Sequence, residues 1–294
     1  MYDIIIVGAG PAGLTAAIYA CRAKKSVLVL EANTYGGQIV NTSDIENYPV
    51  EEHISGFDFA TKLYNQTKNL GAEIKFEKVV EIKDGSFKEV ITTKDSYKCK
   101  AIILATGAEN RKLGLPNEDE LVGRGVSYCA TCDGSFYKGR DVAVVGGGNT
   151  AIEDALYLSD ICRTVYLIHR RDKFKAEEFL IERLNDKKNV KCIFNSSVTR
   201  IIGNYKLTGI EVNGEEISIA GLFIAVGRVP ENQNFSKLIN LDNFGYVIAN
   251  ENCHTNVDGI YVAGDNRTKL LRQLVTATGD GAVAATEAIK YING

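Results

Sequence analysis

One pattern occurs twice in this chain, and few folds can accommodate it. The first copy is YDIIIVGAGPAGLTAAIYACRAKKSVLVLEA: an apolar run, glycines at Gly8, Gly10 and Gly13, an alanine-rich stretch, and a second apolar run ending on Glu31. The second is RDVAVVGGGNTAIEDALYLSDICRTVYLIHRRDKF, with Gly146, Gly148 and Ala151 at the three turn positions. The two align without a gap from Gly8 to Glu31 and from Gly146 to His169. Strand, glycine turn, helix and strand in that order form the βαβ unit that holds a dinucleotide.

Each position in the pattern has a physical task. Gly8 permits the tight turn, and Gly10 lets the main chain approach a pyrophosphate at the helix N-terminus, where free N–H groups favour negative charge. Gly13 allows helix and strand to pack closely. Glu31 stands where a carboxylate can accept hydrogen bonds from both ribose hydroxyls, so the first unit suits FAD. In the second unit the acid is replaced by His169, Arg170 and Arg171. A carboxylate would repel a 2′-phosphate, whereas arginines pair with one through charge-assisted bonds, and Lys175 adds a further positive charge. The second unit therefore suits NADPH, with Asn149 and Thr150 in its turn.

Shorter repeats complete the layout. AIILATGA (101–108), containing Thr106 and Gly107, and GLFIAVGR (221–228) are apolar runs ending in glycine, one closing each unit. GIYVAGD (259–265) is a third such run, and Gly264 and Asp265 at its end could meet the sugar-like chain of a flavin. TGDGAVAATEAIKYI then reads as a closing helix with small residues at helical spacing. Residues 75–100 alternate charged and β-branched types, which suggests a small antiparallel sheet. The expected fold is α/β: two Rossmann-like, three-layer dinucleotide-binding domains, the second inserted into the first. The FAD-binding domain spans 1–113 and 241–294, and the NADPH-binding domain spans 114–240, with a hinge at the two crossings.

Bulk properties exclude several classes. The chain has 294 residues and a net charge of −3, which argues against nucleic-acid binding through a basic face. No apolar run approaches the roughly 20 residues of a membrane span. The sequence passes from Met1 into IIIV without a secretory h-region, so the cytoplasm is the expected location. Of seven cysteines, five (Cys21, Cys99, Cys162, Cys192, Cys253) are scattered singly and read as small buried hydrophobes.

Cys129 and Cys132 differ, lying three apart in CATCD just ahead of the second glycine turn. A zinc site needs a second ligand pair, and none is evident, so no metal is expected. A structural bridge over so short a loop would restrain the unfolded chain little. A redox-active dithiol remains, able to exchange with another protein's disulfide. Asp133 could give a proton to a leaving thiolate, or merely cap a turn. The dithiol and the nicotinamide site share one domain, so each would reach the flavin in turn if that domain rotates.

GAGPAG, GGQI (36–39), ENYP (46–49), ATGA (105–108), GRGVSYCATCDG (123–134), GGGNTA (146–151), HRRDKFKA (169–176), AGD (263–265) and LLRQLVTA (270–277) together cover almost the whole chain. In these the sequence resembles the low-molecular-weight, bacterial-type thioredoxin reductases. The resemblance implies a class II pyridine nucleotide-disulfide oxidoreductase: a homodimeric FAD enzyme passing electrons from NADPH through flavin and dithiol to thioredoxin. It implies that Cys132 faces the flavin, Cys129 attacks the thioredoxin disulfide and Asp133 is the acid. Gly36, Gly37, Gln38, Asn47, Arg272, Gln273 and Leu274 would line FAD, and Arg124 would help dock the partner. Lys175 replaces a usual arginine, Ser135 a common aromatic, and VEEHISG a short glycine turn, which implies a longer loop there.

Three rival readings use the same residues differently. A ferredoxin-dependent relative would lack the phosphate-binding charges, so Arg170 and Arg171 speak against it. A small-molecule dithiol oxidase would run the dithiol backwards. A non-catalytic redox sensor would need neither the cysteine pair nor Asp133.

Overall fold

The computed structural model describes residues 1–42 and 44–294. In chain order the elements begin with β1 (Tyr2–Val7), α1 (Pro11–Arg22), β2 (Val27–Glu31), α2 (Gly56–Asn69), β3 (Glu73–Phe76), β4 (Val79–Lys83), β5 (Lys88–Thr92) and β6 (Ser96–Leu104). The chain crosses along β7 (Ala108–Asn110) to β8 (Val126–Ser127), α3 (Ala130–Asp133), β9 (Asp141–Gly146), α4 (Asn149–Ile161), β10 (Thr164–Ile168), α5 (Glu178–Asn185) and β11 (Val190–Ile193). There follow β12 (Val198–Gly203), β13 (Leu207–Val212), β14 (Glu215–Ser218), β15 (Gly221–Ala225), the returning β16 (Arg228–Pro230), β17 (Ile260–Val262) and α6 (Leu274–Asn293).

The chain divides into two compact units, Met1–Glu109 with Val229–Gly294, and Asn110–Arg228. The sequence placed the return crossing at 240/241; the division lies at 228/229. Phe235 and Ile239 account for the difference, since both are buried in a core of the first unit.

In the first unit β3, β2, β1, β6 and β17 form a parallel sheet, which β5 and β4 extend antiparallel beyond β6. A strand covered on both sides reads as continuously apolar, which is why IIIV shows no polar alternation. Ile4 and Ile6 face one core with the alanines of α1 and α6, while Ile5 and Val7 face the other with Val79, Ile82 and Val90. Small residues bring α1 and α6 together: a Cβ on Gly281 would stand 2.2 Å from the carbonyl oxygen of Ala12. The second face is closed by β4, β5, the 3-10 turn Gln233–Phe235 and the loop after it.

The second unit repeats this construction. Its parallel sheet runs β11-β10-β9-β15-β8. Helices α4 and α5 cover one face, and the antiparallel sheet β12-β13-β14 covers the other. Among the described residues no helix is long and apolar enough to cross a membrane.

Candidate functional site

The cysteine pair is where two elements of the second unit meet. Cys129 precedes the single turn α3, and Gly134 at its end packs against Tyr157, Leu158 and Ile161 of α4 so tightly that a Cβ would lie 2.8 Å from the Tyr157 ring. Cys129 and Cys132 are joined in a disulfide with their Cα atoms 5.3 Å apart. Both are half-buried. Asp133 follows; its Oδ2 accepts a 2.6 Å hydrogen bond from the Ser127 hydroxyl, and its Oδ1 is buried without a hydrogen-bond partner. Burial pushes this carboxyl above the usual range, and the Ser127 bond only partly offsets it. A carboxyl that keeps its proton can serve as an acid beside a dithiol.

The first glycine turn stands at the end of β1 in the first unit. Gly8 has a left-handed φ of 111°, and a Cβ there would lie 2.2 Å from the Ala105 oxygen; at Gly13 it would lie 1.9 Å from the Gly8 oxygen. At Gly10 it would meet nothing within 4 Å. The turn is thus packed at two glycines and open at the one where the sequence pattern expects a pyrophosphate. Glu31 reaches back to it, Oε2 accepting from the Ala9 N–H at 2.8 Å, while Oε1 accepts from the Asn33 N–H. Gly36 donates its N–H to the Ala9 oxygen, and Gly37 comes within 3.4 Å of Gly10 measured from its own ideal Cβ, with Gln38 exposed in the following turn.

The other residues expected at the flavin are carried by the same unit. Asn47 donates to the Gln273 side chain, which caps α6, and Leu274 anchors that helix start among Ile45, Ile54 and Phe59. The Arg272 guanidinium lies over the Tyr246 ring at 4.1 Å and donates to the Asp265 and Arg267 carbonyls. Thr106, just before Gly107, donates to Asn232 and accepts from Asn266. Gly264 donates its N–H to Asp280. The segment VEEHISG is folded back as a small hairpin-like loop, with Ile45 bridged to Ile54 and Tyr48 to Glu51.

The second turn is finished differently. A Cβ on Gly146 would lie 2.4 Å from the Ala225 oxygen and 2.6 Å from the Ala151 methyl. Gly147 is covered by the His169 ring, 2.2 Å from where its Cβ would be, and Gly148 is open. His169 is buried, its Nε2 has no partner, and desolvation holds its pKa below the ordinary value. Arg170, Arg171 and Lys175 are exposed, and among the described residues no carboxylate pairs with them. The Lys175 N–H binds the Gly147 oxygen, which ties this basic segment to the turn. Asn149 and Glu177 exchange hydrogen bonds at 2.8 and 3.0 Å, and Thr150 is exposed. An open turn flanked by unpaired cations fits a phosphorylated dinucleotide; an open turn flanked by a carboxylate fits one with free ribose hydroxyls.

The family model for pyridine nucleotide-disulphide oxidoreductases matches residues 2–281. A thioredoxin reductase of Listeria monocytogenes is 47% identical over 99% of this chain and 94% of its own length. The thioredoxin reductase of Bacillus subtilis is 44% identical over 99% and 95%. The chain belongs to the thioredoxin reductases. The solved thioredoxin reductase of Streptococcus pyogenes superposes with a TM-score of 0.94 at 41% identity, covering 100% of this chain and 98% of that one.

Several buried polar residues around this family's motifs escaped the sequence reading. Asp280 on α6 binds Arg267 through both oxygens and also Lys269, all three side chains being nearly inaccessible. Its signal was present: a lone acid on a helix face otherwise made of Ala277, Gly281, Ala284 and Ala288. Asn232 and Asn266, both fully buried, hold the 106 and 266 loops together, and no local pattern marks them. Glu118, also buried, accepts from the Leu113 and Gly114 N–H groups and the Tyr128 hydroxyl. Ser127 had no assigned role at all. Arg124 is exposed in the turn before β8.

Proposed function

We propose that the protein reduces the disulfide of thioredoxin, drawing electrons from NADPH through FAD and the Cys129–Cys132 pair. The observation that carries this reading is the half-buried disulfide ahead of the second glycine turn, with a buried carboxyl directly after it. Gly8, Gly10, Gly13, Glu31, Gly36, Gly37, Gln38, Asn47, Thr106, Gly107, Gly264, Asp265, Arg272, Gln273 and Leu274 would hold FAD between them. Gly146, Gly148, Asn149, Thr150, His169, Arg170, Arg171 and Lys175 would hold NADPH. The FAD domain is the first unit and the NADPH domain the second. Bound FAD would supply two-electron transfer from the nicotinamide to the disulfide.

The chain's own chemistry then follows. The Cys129 thiolate attacks the thioredoxin disulfide, forming a mixed disulfide, and the departing sulfur takes a proton held by Asp133. The Cys132 thiolate attacks Cys129, closes the internal disulfide and releases reduced thioredoxin, so two electrons pass to the substrate. Arg124 contributes to docking it. The enzyme works as a homodimer in the cytoplasm, without membrane or nucleic acid. Anaerobic addition of NADPH should bleach the flavin absorbance, and thioredoxin should restore it. Bleaching by reduced ferredoxin alone would transfer the reading to the ferredoxin-dependent relatives, against which the unpaired Arg170 and Arg171 stand.

A further inference from the structure

We propose that Ser127 is a positioning residue for the catalytic proton: its hydroxyl holds Oδ2 of Asp133, so that the transferable proton rests on Oδ1. The inference rests on the reading of Asp133 as the acid of the dithiol. Ser127 ends β8, is 3% exposed, and is fixed in register opposite Phe223 of β15. Its Oγ has three neighbours: Asp133 Oδ2 at 2.6 Å, the Cys129 N–H at 3.1 Å and the Cys129 carbonyl oxygen at 3.3 Å.

A hydroxyl has one proton to give and two lone pairs to accept with. The Cys129 N–H occupies one lone pair. The proton has two possible acceptors, Oδ2 at 2.6 Å and the Cys129 carbonyl oxygen at 3.3 Å, and the shorter contact takes it, so it is directed to Oδ2. Oδ2 is then saturated from the side of Ser127. The proton that Asp133 carries falls to Oδ1, which is buried and has no hydrogen-bond partner among the described residues. Ser127 thereby decides which carboxyl oxygen is armed, and through Oδ2 it couples the carboxyl to the main chain of Cys129.

The electrostatic surroundings leave Ser127 this role. No charged side chain shifts Asp133; burial raises it and the Ser127 bond lowers it. Tyr137, on the turn after α3, is pushed up to about 12, first by burial and then by Asp133 itself, so it stays neutral. From α4 the titratable residue packed on the turn is Tyr157, against Gly134. From β8 and β15 the neighbours are Ser127 and Phe223.

In the step itself, the substrate S–S bond breaks as the bond to Cys129 Sγ forms, and the Oδ1 proton moves to the departing sulfur. Asp133 becomes a carboxylate at that moment, and the Ser127 hydroxyl already points at it. The hydroxyl therefore stabilises the product of proton transfer without having to reorient.

The test compares Ser127→Ala with Ser127→Thr in the flavin-loaded enzyme, reading the rate of thioredoxin reduction across pH. Loss of the hydroxyl should lower the maximal rate about 10-fold, the worth of one hydrogen bond to a charged group. It should also move the limb where Asp133 ionises to higher pH, because the lost bond favoured the ionised form. Threonine should restore both. Flavin bleaching by NADPH should be unchanged in either variant. If alanine prevents folding, the isosteric pair Ser127→Thr and Ser127→Val gives the same contrast. A uniform loss of rate with the limb unmoved would overturn the proposal and leave Ser127 a packing residue. If Asp133→Asn leaves the wild-type pH profile intact, the acid reading fails, and this proposal with it.

Discussion

After the first glycine turn, the following strand sends a carboxylate back to the main chain; after the second, it sends an imidazole. Glu31 accepts the Ala9 N–H, whereas His169 lies flat enough on Gly147 that no Cβ could fit between them. The first arrangement ends in an acid whose two oxygens are ordered by N–H groups. The second ends in a neutral ring and leaves Arg170, Arg171 and Lys175 at the rim, with no carboxylate partner among the described residues. Both turns open into a helix through an unobstructed glycine, Gly10 or Gly148, so on the proposed reading cofactor preference would be set by what stands one strand away. The two turns also differ at the third position: Gly13 allows no methyl, whereas Ala151 already carries one.

That last difference offers the harshest test. Gly13→Val should destroy the first unit, because its Cβ would overlap the Gly8 carbonyl, a backbone atom that cannot move aside. The purified protein should be colourless or insoluble. The matching change Ala151→Gly should cost only about 1 kcal/mol, the helix penalty of glycine, measurable as a small loss in thermal stability.

Next in size is a charge reversal at the second rim. Arg170→Glu with Arg171→Glu should reduce kcat/KM for NADPH by about 100-fold or more, since each arginine–phosphate pair is worth about 1.5–3 kcal/mol. NADH turnover should change little. Equal losses with both nucleotides would show that the two arginines do not contact the 2′-phosphate.

Two milder changes probe the strand-end groups. Gly147→Ala should push its methyl into the His169 ring and weaken NADPH binding, at a strain of about 1–3 kcal/mol. Adding His169→Ala in the same chain should recover part of the loss, and a double-mutant cycle with no coupling would break the assignment. Glu31→Gln should weaken FAD retention about 10-fold, in proportion to one charge-assisted bond, as read by titrating the apoprotein with FAD.

The final contrast is one of sign. In the first unit burial raises Asp280, but Arg267 and Lys269 outweigh it and hold the carboxyl below its ordinary value. Its stabilisation is present above the unfolded carboxylate pKa and is lost as pH falls through the folded one. In the second unit burial pushes Asp154 up to about 7 and raises Asp133 as well. These groups keep protons that the unfolded chain releases, so the second unit should lose stability between pH ~4 and 7, where the first gains or holds it. Hydrogen exchange followed separately in the two units, corrected for the intrinsic pH dependence, should show protection falling in the second unit from pH 5 to 7 and unchanged in the first.

The repeated βαβ grammar was legible because its constraints are local: a left-handed turn at Gly8, an approach too close for a side chain at Gly13, an apolar strand before and after. The dithiol was legible for the same reason, since a three-residue spacing brings two sulfurs together without help from the rest of the chain. The return crossing was misplaced by sequence because Phe235 and Ile239 join their core through contacts with strands more than a hundred residues earlier.

By itself, then, the sequence determined the two dinucleotide units, the sign of charge at each rim and the redox pair. Tertiary structure decided which polar groups are buried and what they face: Asp280 between two cations, Asn232 bridging two loops, Ser127 against Asp133. The physical reason is that turn geometry depends on neighbours in the chain, whereas the pairing of a buried polar group depends on whatever packing brings against it.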